Sequence, residues 1–361
     1  MSNRFGEIYT LTSFGESHGL AIGGVVDGMP SGVPISTEAL QLMLDRRRPG
    51  QSAVSTPRRE ADRVEVLSGI YQGMTLGTPI GFIIRNTNQH SADYSEIERC
   101  YRPSHADYTY SAKYGMRDPR GGGRASARET AARVVAGALA MQVLGRLGIT
   151  VRAYTEQIGS VALDADYKSL DLSLDSIDAN IVRCPDAAVA QAMVAEIGRA
   201  RANGDSLGGI VRCVVSGVPA GLGDPVFGKL HARLASAMMS INAVKGFDYG
   251  LGFGFAGRRG SEVNDRFVPD GHGGIRTATN YSGGIQGGIS NGEDICMRIA
   301  FKPVPTLMRD VDTVDTSGQP MVLHASGRHD PCVIPRAVPV VEAMAAMVVL
   351  DSYLINKTAR F

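Results

Sequence analysis

The stretch LAIGGVVDGMPSGVP, residues 20–34, and its echo LGGIVRCVVSGVPAGLG, residues 207–223, carry the decision about the fold. In each, a β-branched run leads through VVxG to a proline and a glycine turn, and an amphipathic helical pattern follows. β-branched residues suit a pleated strand, and Gly and Pro punctuate it. Each stretch therefore reads as strand–turn–helix. Two accounts of the echo stand side by side: a duplicated unit within one domain, and chance likeness between two connections of the same kind.

Outward from these stretches, apolar spacing near 3.6 residues marks helices over 36–47, 126–147, 186–203, 225–241 and 337–356. Asp224 and Pro225 suit the start of the fourth, and Gly204 the end of the third. Strands are expected over 5–12, 20–27, 63–68, 80–85, 151–163, 208–217 and 294–302. Many neighbours are joined by short glycine turns, which favours antiparallel pairing. The fold class expected is α+β, helices with antiparallel sheets. No low-complexity linker divides residues 1–361, so one domain is expected.

Composition excludes several classes. A net charge of +1 and 6% aromatic residues argue against a nucleic-acid binder, whose Arg clusters would otherwise suggest one. The five cysteines, Cys100, Cys184, Cys213, Cys296 and Cys332, are odd in number, scattered and without CxxC. They fit a reducing compartment rather than a disulfide framework or thiolate zinc site. The opening MSNRFGEIYTL has no basic start before a long apolar run, so no secretory signal is expected. The late apolar stretch VPVVEAMAAMVVL is broken by Glu342 and reads as too short for a bilayer. Of 37 basic residues six are Lys, hence 31 are Arg, the side chain whose fork matches carboxylates and phosphates. Lineage bias would give the same count, so position decides.

Four clusters hold candidate chemistry. GESHG, residues 15–19, places Ser17 and His18 between glycines, with room for a ligand and an imidazole suited to proton transfer; a turn histidine bonded to backbone is the alternative. RRRPG, residues 46–50, with Arg58 and Arg59 beyond, reads both as cations complementing a helix C-terminus and as an anion clamp. The stretch 102–129 holds His105, Asp107, Arg117, Arg120, a glycine triplet, Arg124 and Arg128. The triplet precedes a helix whose first turn could face an anion, and Arg124 and Arg128 are spaced to be helix neighbours. Ser126 and Glu129 fit a capping box, which competes with a ligand role for Ser126. Last, GRHDP, residues 327–331, sets Arg328, His329 and Asp330 before the final helix, where Asp330 could cap or act as a base. A literal GxGxxG at Gly252, Gly254 and Gly257 lacks the following helix that a dinucleotide site needs.

Together GESHG, DRRRPG, RPSHADYTYxxKYGxRDxRGGGRxSARET, SINAVKG, GGIxGGIS and GRHDPC resemble chorismate synthase, in that family's order, from about Phe5 to the last helix. The resemblance implies a β-α-β sandwich with helices between antiparallel sheets, usually as a homotetramer. It implies a 1,4-anti elimination of phosphate from 5-enolpyruvylshikimate 3-phosphate, requiring reduced FMN without net redox change. It assigns His18 to protonation of the departing phosphate, His105 to the flavin, and Asp330 to removal of the ring proton. Ser17 and Ser126 would lie near substrate and flavin, and Arg47, Arg124, Arg128 and Arg328 would meet anions. The family's flavin contacts carry over onto Arg47, Arg124, Ala125, Ser126, Asn242, Ala243, Gly287, Lys302, Pro303, Val304, Pro305, Thr306 and Arg328.

Two departures stand out. Ala53 occupies a position often basic in the family, which bears on a contact to substrate phosphate or to a nicotinamide (NADP) reductant. The usual KPTSS is KPVPT here, and Pro305 removes a backbone N–H. No nicotinamide module is left over, so an external flavin reductant is expected, in a cytoplasmic enzyme that binds neither nucleic acid nor membrane. The competing enzyme class is a metal-dependent phosphohydrolase using His18, His105, His329 and Asp330, although no element carries metal-ligand spacing.

Overall fold

The computed structural model describes residues 3–50, 61–87, 95–120, 122–324 and 330–360. The first sheet is built from β1 (Arg4–Phe5), β2 (Thr10–Phe14), β3 (Ala21–Asp27), β4 (Val64–Val66) and β7 (Ile80–Arg85), with β5 (Ile70–Tyr71) and β6 (Met74–Thr75) a ribbon beside it. Its order is β1-β2-β3-β7-β4, antiparallel throughout. The second sheet takes β8 (Thr150–Ile158), β9 (Val161–Ala162), β10 (Gly209–Ser216), β11 (Val244–Tyr249) and β16 (Ile295–Phe301) in the order β11-β16-β10-β8-β9, again antiparallel. Three further two-stranded ribbons are β12 (Phe267–Pro269) with β13 (Ile275–Thr277), β14 (Ile285–Gln286) with β15 (Ile289–Ser290), and β17 (Val311–Val314) with β18 (Pro320–Leu323).

The helices are α1 (Thr37–Arg47), α2 (Ser95–Arg99), α3 (Asp107–Tyr114), α4 (Thr130–Arg146), α5 (Leu174–Ile177), α6 (Ala187–Ala202), α7 (Leu230–Met239) and α8 (Ile334–Asn356). Helix α4 packs on β2 and β3, α8 packs on β8 and β10, and the two helices pack on each other. Gly137 makes that approach possible, because a Cβ there would sit 2.3 Å from the Ala343 Cα of α8. Ala131, Val134, Val135 and Leu139 of α4 and Val338, Val341, Ala345 and Val349 of α8 are buried. Removing such apolar surface from water is the main force holding the layers together.

Where the sequence reading needs correction, the reasons are local. The helix expected over 225–241 starts at Leu230, capped at Lys229, because the backbone N–H of Asp224 bonds Gly228 in a turn of its own. The helix expected from 126 starts at Thr130; before it come two 3-10 turns, Gly123–Ala125 and Ala127–Glu129. Ser126 caps the second turn through Arg128 N, and the Glu129 carboxylate goes to Arg133 rather than back to Ser126, so no capping box forms. Strand 5–12 is divided into β1 and β2, and 151–163 breaks at Gly159. The last helix begins at Ile334 and is long and apolar enough to span a bilayer by length and composition, contrary to the reading of 13 residues as too short; its window is 83% buried as a core helix. Residues Gly252–Gly257 form a 3-10 turn, not the start of a dinucleotide-binding helix.

A buried ion-pair network ties the layers. Arg46 bonds Glu342 of α8 and, at 2.6 Å, Asp178; Glu342 also accepts from Ala153 N of β8 at 3.0 Å. At the other end, Asp351 of α8 accepts from the backbone N–H groups of Glu7, Ile8 and Tyr9 at 2.9, 2.8 and 2.8 Å. Both carboxylates lie inside an otherwise apolar helix, where a charge persists only when fully partnered.

Candidate active site

Three helix ends meet at one place. The C-terminus of α1 delivers Arg47, whose Nε donates to Thr130 Oγ1 at the start of α4, 3.1 Å away. From the first turn of α8, Arg336 Nε donates to Arg47 O at 3.2 Å. The N-termini of α4 and α8, the positive ends of their dipoles, thus lie beside a set of guanidinium groups. Arg47 and Arg128 both bond the carboxylate of Asp62, and Arg336 pairs with Asp330. Among the described residues three guanidinium groups face two carboxylates, a local surplus of positive charge. Burial, with Arg336 and Arg128 close by, pulls the Arg47 guanidinium down to about 9 against the opposing pull of Asp62. Burial alone would push Asp62 up, but Arg47, Arg128 and Arg336 hold it below the ordinary carboxylate range.

The GESHG segment forms the turn between β2 and β3, with Gly19 N bonded to Glu16 O at 3.1 Å. Ser17 and His18 are buried, and Ser17 Oγ lies 3.0 Å from His18 Nδ1. Asn86, just past β7, fastens this turn to the guanidinium group. Its Nδ2 donates to Gly19 O at 2.8 Å and Glu16 O at 3.1 Å, while its Oδ1 accepts from Arg128 Nε at 2.9 Å. Ser17 Oγ also reaches Arg120 O at 3.4 Å, and His18 lies close enough to help hold the Asp118 carboxylate low, after the larger effect of Arg120.

His105 sits at the entrance to α3. Asp107, in the first turn, lies 2.8 Å from its Nδ1 and accepts Arg102 Nε at 2.7 Å, Arg102 Nη2 at 2.8 Å and Arg102 N at 3.1 Å. Arg117 Nη1 is 3.0 Å away. Burial opposes the Asp107 charge, yet the hydrogen bonds from Arg102 and His105 hold the carboxyl well below its usual range. Arg102 Nη2 also lies 3.0 Å from His105 Nδ1, but it already donates to Asp107 Oδ1 at 2.8 Å; with the ionised Asp107 accepting from the ring, Nδ1 carries the proton and Nε2 faces outward. Outward is Gly122, in the left-handed conformation, where a Cβ would come within 2.9 Å of the His105 ring. Beyond lies a cleft of about 760 Å³, lined by His105, Arg120, Gly123, Arg124 and Ala125 and by Ser13, Gly15 and Glu16 of the opposite wall. A volume of this order suits a small-molecule site.

The flavin-related positions are brought together in part. Asn242 Nδ2 donates to Ala125 O at 2.9 Å, and its buried Oδ1 has no hydrogen-bond partner among the described residues. Lys302 Nζ bonds Ser104 O beside His105, and Lys302 N bonds Ala243 O at 2.9 Å. Ser206 Oγ holds Val304 O at 2.8 Å, while Pro305 and Thr306 line a small recess with Arg102 and Pro103. Gly287 is apart from these contacts: its hairpin packs at Gly288 on the loop Asp224–Leu230. Arg328 and His329, with Ala53, Arg58 and Arg59, lie outside the described residues.

Other expectations are corrected here. Arg46 is no part of an anion clamp, being spent on Glu342 and Asp178. Arg124 and Arg128 are not helix neighbours. Each sits in its own 3-10 turn, Arg124 turning to Ser13 Oγ at 2.7 Å and Gly15 O at 3.2 Å, Arg128 to Asp62 and Asn86. The first turn of α4 is buried and does not open to an anion. Asp330 pairs with Arg336, and no side chain caps α8. Among the described residues no group of three or more His, Cys, Asp or Glu is placed to hold a metal ion. Sequence reasoning missed Asp62, Asn86 and Arg336. Only the i,i+6 spacing of Asp330 and Arg336 across the start of a helix hinted at the last.

Comparison with known proteins gives one answer. Residues 9–354 match the family model described as chorismate synthase. The chain is 59% identical over 356 residues to a chorismate synthase of Parabacteroides distasonis, covering 99% of both chains. It is 58% identical over 360 residues to that of Phocaeicola vulgatus, covering all of both. It is also similar to a crystal structure of chorismate synthase, with TM-score 0.77 and 31% identity over 97% of this chain and 93% of that one. The chain belongs to the chorismate synthase family, carbon–oxygen lyases that eliminate phosphate from 5-enolpyruvylshikimate 3-phosphate in a 1,4-anti sense to give chorismate.

Proposed function

We propose that this chain carries out that elimination with reduced FMN, using His18, His105 and Asp330 as its proton-handling groups. One observation carries the reading: a continuous set of contacts joins the turn that holds His18 to Asp330, and that turn and His105 line the same cleft. His18 and Ser17 sit in the turn that Asn86 ties to Arg128; Arg128 shares Asp62 with Arg47; Arg336 links Arg47 to Asp330. The same turn forms one wall of the cleft onto which His105 opens.

The substrate bears a phosphate and two carboxylates, so guanidinium forks are its natural partners. Arg47, Arg124 and Arg128, with Arg328, are the contacts we assign. His18 delivers a proton to the leaving phosphate, oriented by Ser17. Asp330 takes the ring proton, and Arg336 stabilises the carboxylate until it does so. His105, with Nδ1 fixed by Asp107, offers Nε2 to the flavin. Reduced flavin supplies an electron-rich ring beside the breaking carbon–oxygen bond. The orphaned Asn242 Oδ1 fits a polar cofactor edge, since a buried acceptor without a partner is costly. It stands with Ala125, Ser126, Ala243 and Lys302 as the group that would hold it, together with Pro303, Val304, Pro305, Thr306 and Gly287.

We further read the chain as one domain, a β-α-β sandwich with an internal duplication. In support, β3 and β10 are the middle strands of their sheets, and each runs through a glycine turn toward a helix, α1 or α7. A cytoplasmic homotetramer served by an external flavin reductant completes the proposal. The test is anaerobic turnover. Chorismate should form with reduced FMN and not without it, and His18→Ala and His105→Ala should each lower the rate at least a hundredfold with circular dichroism unchanged. Chelator-sensitive phosphate release that ignores flavin would replace the reading with a metal-dependent hydrolase.

A further inference from the structure

Asp62 has no place in the motifs and none in the proton transfers assigned above. Its surroundings are unusual all the same. Its carboxylate is fully shielded from solvent and receives two guanidinium groups from different elements, Arg47 at the end of α1 at 3.2 Å and Arg128 from the turn before α4. Its backbone is left-handed, φ 46°, a region that aspartate enters more readily than most non-glycine residues. A carboxylate that neutralised one buried arginine would set both oxygens on a single fork. This one divides its two oxygens between two forks, Oδ2 to Arg47 and Oδ1 to Arg128, and so fixes the angle between them.

Each fork has a further anchor. Arg47 is held by Thr130 Oγ1 and Ala127 O, and Arg128 by Asn86 Oδ1. With Asp62 these contacts leave neither guanidinium a rotamer to search, which removes an ordering cost when an anion arrives. We propose that Asp62 is a positioning residue for substrate binding, setting the Arg47 and Arg128 forks at the mutual orientation in which they receive the substrate's anionic groups. The inference rests on the assignment of those two arginines to the substrate.

The test is steady-state kinetics of the full-length enzyme with reduced FMN and 5-enolpyruvylshikimate 3-phosphate, comparing Asp62→Asn, Arg47→Met, Arg128→Met and the double variant of Asp62→Asn with Arg128→Met. Asparagine tolerates the left-handed backbone and keeps the side-chain shape. Its amide can accept from one fork but must set N–H groups against the other. Asp62→Asn should raise KM at least tenfold with kcat within threefold. Arg128→Met should do likewise, and the double variant should be within threefold of the worse single, because both changes disable the same pair. An unchanged KM in Asp62→Asn beside a raised KM in Arg128→Met overturns the positioning role alone, as does a double variant equal to the product of the singles. An unchanged KM in both Arg47→Met and Arg128→Met overturns the substrate assignment beneath it. If Asp62→Asn fails to fold, Asp62→Glu keeps the charge and moves it by one methylene. A KM raised more than threefold then supports the inference, and an unchanged KM refutes it.

Discussion

Replacing Asp107 by asparagine exchanges one oxygen for an NH2 group in the most crowded hydrogen-bonded position near the cleft. In the native chain this carboxylate takes three donors from Arg102 and one from His105, with Arg117 at 3.0 Å. Two consequences differ in size and can be separated. Arg102 and Arg117 are both largely buried, with side-chain exposures of 4% and 9%, and lose their counter-charge. Breaking a buried pair on one side destabilises by about 3–5 kcal/mol, against a total of roughly 5–15 kcal/mol, so the protein weakens but still folds. The second consequence is chemical. The amide keeps its oxygen toward Arg102 Nε and N and turns its NH2 to the side shared by Arg102 Nη2, Arg117 Nη1 and His105 Nδ1; the two guanidinium groups cannot accept, so Nδ1 must. The ring proton moves to Nε2, and the atom facing the cleft changes from acceptor to donor. With a general acid–base group worth about 10²–10⁴ in rate, anaerobic chorismate formation should fall at least a hundredfold, matching His105→Ala. The double variant should be no slower, since the aspartate acts only through the ring. Nitrogen NMR of the histidine ring should report Nδ1–H in the native protein and Nε2–H in the variant. Turnover within threefold of the native rate, beside a disabled His105→Ala, would refute the reasoning.

Glu342→Ala removes a carboxylate that serves Arg46 and the Ala153 N–H together; a loss of about 3–5 kcal/mol in denaturant unfolding is expected, and a loss under 1 kcal/mol would mean that Asp178 alone satisfies Arg46. Acid should weaken the fold through Asp62 and Asp107, whose carboxyls are depressed in the native state. Their stabilisation is complete above the unfolded value of about 3.9 and is lost as pH falls through the lower native values. Thermal midpoints below pH ~4 should therefore drop less steeply in Asp107→Asn than in the native protein, and parallel curves would contradict this.

The layers were legible because they rest on periodicity. Residues 80–85, 20–27 and 186–203 are in the structure within a residue or so of where alternation or helical spacing put them. The misplaced boundaries share a cause. At 224–229 and 123–129 the chain makes hydrogen bonds that stop short of a helix, and a pattern of apolar residues carries no trace of an Asp224–Gly228 bond or of two consecutive 3-10 turns. GESHG, the His105 stretch and the Arg runs could be singled out because glycine and charge cluster there. Asp62, Asn86 and Arg336 could not: the first two are single members of the polar stretches PRREADR and RNTNQ, the third stands alone in an apolar run, and the importance of each arises only where distant elements meet.

Arg46 and Arg47 show why the letters alone leave the assignment open. Successive residues on a helix point about 100° apart. Arg46 is carried to the α8 side, where Glu342 and Asp178 fully engage it. Arg47 is carried toward the start of α4 and joins Arg128 and Arg336 around Asp62 and Asp330. The first environment is balanced by carboxylates and welcomes no further anion. Among the described residues the second has more guanidinium than carboxylate, so under the proposed substrate assignment an entering phosphate would relieve it. Within a single RRRPG run, then, one arginine is spent on the fold while its neighbour joins the guanidinium group proposed to meet the substrate, and what separates them is which carboxylates the surrounding helices bring into reach.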